Sequence, residues 1–184
     1  MTSKQHPALN TKQWLILLIY PLVPLTLAVA TTVIFGIGPL NSKLPSPALL
    51  SFAAICGFLL IVNHSWLMTH TEVTRSRYGL FATPEEAAQG GQNAPGDQTE
   101  LTRSHAAHRN LTENTTLFAI LMPIYLLLSP PETLAAIWLL GYGFSRLGHT
   151  YFFLSGNANW RGVFMTTSLV ALYGLAFYPV LVLI

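Results

Sequence analysis

Three short groups of polar residues stand inside or beside apolar runs, where charge is expensive and commonly functional. Arg109, Asn110 and Glu113 form the first. On a helix, Arg109 and Glu113 are i and i+4 and share a face. Arg146 and His149 form the second, spaced i and i+3, and Phe153 continues their face one turn later. Arg161, beside Trp160, is the third. Arg75 and Arg77 close an earlier apolar run. Arginines converging at one depth, with few carboxylates to balance them, point to an anionic ligand bound through bidentate carboxylate pairs. A lone glutamate among them suits an ammonium group. A small zwitterionic peptide with two carboxylates fits such a site.

The chain that must position these residues has 184 of them, 52% hydrophobic and only 9% charged. Mean hydropathy is +0.48. Soluble domains carry about 25% charged residues. Nine Lys+Arg and seven Asp+Glu are too few to cover a soluble surface. This composition excludes a soluble domain, a disordered chain and a nucleic-acid binder, and leaves an integral membrane protein embedded in a lipid bilayer. The single cysteine, Cys56, excludes an internal disulfide framework and a cysteine-based zinc site, and no metal centre is expected.

A bilayer core about 30 Å thick needs about 20 apolar helical residues. Residues 14–37, 48–68, 133–153 and 163–184 qualify. Residues 117–128 are too short alone, and become long enough if the helix starts near Ser104 or His105 and takes in the polar stretch 109–116. Five spanning helices are therefore predicted. The first has features of a cleavable signal sequence, with Ala28-Val29-Ala30 as a small-residue site, but its apolar run continues too far for one. With the N-terminus in the cytoplasm, eight of the nine Lys and Arg residues fall inside and only Lys43 outside. The long cytoplasmic loop, 75–103, contains a helix start at Thr83-Pro84-Glu85-Glu86.

Together these residues carry a resemblance. Arg103 to Glu113 reads RSHAAHRNLTE; Phe81-Ala82-Thr83-Pro84-Glu85-Glu86 precedes it; Arg146-Leu147-Gly148-His149-Thr150 and Asn159-Trp160-Arg161 follow. The chain resembles the MAPEG family, membrane-associated proteins in eicosanoid and glutathione metabolism. It is most like the branch of microsomal glutathione transferases and microsomal prostaglandin E synthase. The resemblance covers residue 48 to the C-terminus. It implies an all-α integral membrane helix bundle: a MAPEG-like four-helix domain at 46–184, with an extra N-terminal helix and connection at 1–45. It implies a homotrimer binding glutathione, as co-substrate, between subunits near the cytoplasmic face. By position, Arg75, Arg109, Asn110, Glu113 and His149 would contact glutathione, with Arg146 supporting. Arg161 would be catalytic, holding the sulfur as thiolate.

The chain departs from relatives at Phe153 and Met165, where some have tyrosine, and at Gly162, where some have serine. The resemblance thus carries glutathione binding further than the identity of the reaction. The function expected is a glutathione transferase or peroxidase attacking lipophilic electrophiles or lipid hydroperoxides. The thiolate is the reactive form of glutathione, and a guanidinium near the sulfur favours it. Two alternatives remain. One is a non-catalytic membrane protein binding glutathione or lipid. The other is a b-type haem protein, with His64 or His70 paired to His149 or His105. Short loops without sorting signals point to a multi-pass protein of a bacterial inner membrane.

Overall fold

The computed structural model describes Ile19 and residues 22–36, 44–78, 80–81, 92–93 and 99–184. Among these are five helices: α1 (Leu22–Phe35), α2 (Pro47–Arg77), α3 (Thr99–Leu127), α4 (Glu132–Leu154) and α5 (Ala158–Leu183). Between α2 and α3, Leu80–Phe81 (β1) pairs in parallel with Gln92–Asn93 (β2), a two-residue bridge that the composition does not announce. The helix start expected at Thr83 lies outside the described residues.

Each helix end has a local cause. The Ser46 side chain accepts from the Leu49 amide at the start of α2, and Pro47 takes the first position, where a missing N–H costs nothing. Ser46 Oγ also donates to Glu132 Oε1 at 2.7 Å, tying the start of α2 to that of α4. Asn157 caps α5 by accepting from the Trp160 amide. The α4–α5 turn passes through Gly156 at φ +75°, a left-handed conformation that favours glycine.

α3 starts at Thr99, one turn or more before the expected Ser104 or His105. The first turn buries Leu101 and carries Glu100. An acidic side chain suits the positive end of a helix, and Glu100 also accepts from Arg77 Nη1 at 3.4 Å and from the Tyr78 hydroxyl at 3.0 Å. Its 29 residues span about 44 Å, more than the bilayer core, so its polar half reaches past the hydrocarbon. α2 likewise continues to Arg77, with the Thr69 and Thr71 hydroxyls bonded back to Ser65 and Leu67 carbonyls.

Side-chain contacts fix the bundle. α2 and α3 run antiparallel, His70 meeting Ser104 and His64 meeting His108. α4 and α5 are antiparallel too, joined by the short turn at Gly156. α4 packs between α2, α3 and α5. In the core Phe118 stacks on Tyr142 with ring centroids 4.4 Å apart, and Tyr125 meets Tyr178 edge to face. Large apolar residues such as Phe58, Ile61, Ile120, Leu127 and Phe144 point outward. That is the arrangement of a protein whose solvent is lipid. α2 and α5 are long and apolar enough to cross a membrane by length and composition. α1 packs mainly on α5 and also touches α4; it buries Pro24, Ala28 and Thr32, and Ala28 joins the hydrophobic core of the other four helices.

Candidate active site

Arg146, His149 and Phe153 share one face of α4 and meet the first turns of α5 and the polar half of α3. The Arg146 side chain is fully buried. Its Nη2 donates to Asn110 Oδ1 at 2.7 Å, and its Nη1 to Met165 Sδ at 3.7 Å. Its Nε has no partner among the described residues. His149 is buried and packs edge to face on Phe153, centroids 5.5 Å apart. The guanidinium carbon of Arg161 sits over the Phe153 ring, 4.8 Å from its centroid. Among the described residues no carboxylate pairs with Arg146 or Arg161.

The expected site residues thus divide into two groups. Asn110, Arg146, His149 and Arg161 are brought together within the chain. Arg109 and Glu113 share a face as the spacing requires, but both are exposed, and no ion pair joins them. The Arg-Asn-x-x-Glu stretch therefore works on two sides: Asn110 reaches inward to Arg146, while Arg109 and Glu113 point out of the bundle. Arg75, in the last turn of α2, bonds Glu72 at 2.8 Å. At 1.5 Å per residue, Arg161 lies about 5 Å and Arg146 about 12 Å inward from the ends of their helices, and both ends are on the same side of the bundle. Beside the outward face of α3 opens a cleft of about 580 Å³ between α2 and α3, walled by Leu60, Ile61, His64, Thr112, Thr115 and Ile120.

Two close approaches fix the α4–α5 seam. A side-chain carbon added at Gly148 would lie 2.4 Å from the Phe164 ring, so only glycine lets that ring lie on the α4 backbone. Phe152 stacks between Phe164 and Trp160 on the flank of the seam, at 5.4 and 5.9 Å. The ring contacts of the histidines join His64 to His108 and His149 to Phe153.

The MAPEG family profile matches residues 52–181. The chain belongs to the MAPEG family. Its MAPEG region covers nearly all of α2 and continues through most of α5, and contains every residue of both groups above; α1 precedes it. The chain is similar to prostaglandin E synthase of Equus caballus, 31% identical over 116 residues, which is 60% of this chain and 76% of the relative. It is similar to prostaglandin E synthase of Homo sapiens, 32% identical over 110 residues, 59% of this chain and 72% of that protein. The MAPEG family is membrane-associated, which accounts for an outward surface rich in apolar residues.

Residue types alone did not single out Met165 as the partner of Arg146, nor Phe153 as the seat of Arg161. The signal for Phe153 was its place on the Arg146–His149 face. Asn63 is a further buried polar residue, with neither amide atom partnered among the described residues. Its spacing from Leu60 and Leu67 was the available clue that it faces inward.

Proposed function

We propose that this protein is a membrane glutathione-dependent transferase or peroxidase acting on lipophilic electrophiles or lipid hydroperoxides. The observation that carries this reading is the pair Arg146 and Arg161, two guanidinium groups at one end of the bundle with no carboxylate partner among the described residues. A buried cation without a counter-ion is costly, and an anionic ligand supplies the missing charge. Glutathione fits the donor set. Its two carboxylates suit the cluster of Arg75, Arg109 and Arg146, its ammonium group suits Glu113, and its sulfur suits Arg161. His149 and Asn110 offer polar contacts in between, with Arg146 holding Asn110 in place.

Arg161 acts by charge. A guanidinium beside the sulfur stabilises the thiolate over the thiol, and each pKa unit of lowering corresponds to about 1.36 kcal/mol. The thiolate attacks an electrophilic carbon, forming the carbon–sulfur bond as the leaving group departs with its electron pair. With a hydroperoxide it attacks the distal oxygen. The oxygen–oxygen bond breaks, the alcohol leaves after protonation, and the resulting sulfenic acid of glutathione condenses with a second glutathione to give disulfide and water.

The outward aim of Arg109 and Glu113, next to an open cleft, supports a ligand site completed by a second copy of the chain, in a homotrimer. With the N-terminus in the cytoplasm, this site lies at the cytoplasmic face. The test is turnover by the purified protein in detergent, with glutathione and a lipophilic aryl halide or an organic hydroperoxide. Glutathione-dependent product formation supports the reading. Glutathione binding without product supports the non-catalytic alternative. The name of the relatives supplies a further substrate for the same assay, a precursor of prostaglandin E.

A further inference from the structure

We propose that Phe153 is a positioning residue for Arg161: its ring face holds the guanidinium at the point where the glutathione sulfur is to be stabilised. The inference deepens the reading above and rests on it for the identity of the anion.

Arg161 lies in the first turn of α5, where the helix dipole is positive and repels a cation. It has no carboxylate partner among the described residues. Something else must fix a long, flexible side chain. The contact observed is with Phe153, whose centroid is 4.8 Å from the guanidinium carbon, inside the range of about 6 Å over which a ring quadrupole attracts a cation. Phe153 is itself fixed. It sits one residue from the end of α4, where the helix dipole is negative, and the buried His149 ring packs against it at 5.5 Å. An aromatic face suits this task better than a carboxylate. It orients the guanidinium without neutralising it, so the full charge remains available to an incoming thiolate. The ring has no hydroxyl to donate to the sulfur, which leaves Arg161 as the charge-stabilising group at that spot.

Two variants of the full-length protein test this: Phe153→Leu, which keeps an apolar side chain but removes the quadrupole, and Phe153→Tyr, which keeps the ring. Two readouts are used. The first is the rate at which phenylglyoxal modifies Arg161, followed by peptide mass mapping without glutathione. The second is the pH at which half of the bound glutathione absorbs as thiolate, with kcat and KM. Phe153→Leu is expected to raise Arg161 reactivity several-fold. It should also move the thiolate midpoint up by about one pH unit and lower kcat about tenfold, with KM for glutathione changed less than about threefold. Phe153→Tyr should restore all of these toward wild type. Wild-type Arg161 reactivity in Phe153→Leu would overturn the proposal, whatever the effect on turnover. A reactivity change in a protein whose wild type forms no thiolate band would uphold the positioning role and overturn the glutathione reading instead.

Discussion

Arg146 Nη2 and Asn110 Oδ1 are 2.7 Å apart, across the α3–α4 interface. A fully buried guanidinium is thus received by a neutral carboxamide. A carboxylate there would cancel its charge. The carboxamide accepts through its oxygen, which turns its N–H₂ group away from Arg146. The pair therefore keeps a positive charge inside the bundle and orients a donor at the same time.

Asn110→Asp should neutralise Arg146. Folding should be retained or improved, because the buried cation gains an anionic partner. Glutathione affinity should fall about tenfold or more, because the site loses net positive charge and a donor. Equilibrium binding and thermal unfolding of the detergent-solubilised protein measure the two effects separately.

The double variant Arg146→Met with Asn110→Leu removes both partners together. Replacing a buried polar pair by apolar side chains of similar volume is often neutral or stabilising. The thermal midpoint should therefore hold or rise while glutathione binding is lost. A large drop in the midpoint would mean that the pair serves the fold.

Glu113 is exposed and makes no ion pair among the described residues. Its removal should cost the fold no more than about 0.5 kcal/mol, as for ordinary surface substitutions. Glu113→Ala should nevertheless weaken glutathione binding about tenfold. An unaltered dissociation constant would remove Glu113 from the site.

Gly148→Ala puts a carbon 2.4 Å from the Phe164 ring. α4 and α5 must part or the ring must move, and overpacking of this kind costs about 1–3 kcal/mol. A lowered thermal midpoint checks it. Turnover should fall as well, because Arg161 and Arg146 face each other's helix across the same seam.

Much of this was legible in order and period. The apolar runs placed α2, α4 and α5 to within a few residues at most ends, and the i, i+3, i+7 spacing put Arg146, His149 and Phe153 on one face. The start of α3 was not legible from hydropathy, because Leu101 is the only apolar residue from Thr99 to Ser104; it is buried, and Glu100 adds contacts with Arg77 and Tyr78. The Asn110–Arg146 bond was not legible either. It joins positions 36 apart, and only the packing of α3 on α4 decides that Asn110 turns inward while Arg109 and Glu113 turn out. A spacing rule fixes which residues share a face; it does not say what the face meets.

On the proposed function, Arg161 holds bound glutathione as its thiolate. The most direct test is an ultraviolet titration of the purified protein with glutathione at neutral pH, run beside Arg161→Ala. A saturable thiolate absorbance is expected in the wild type and none in the variant, with glutathione still bound by both. Equal thiolate absorbance in the two proteins, or none in the wild type despite binding, would contradict it.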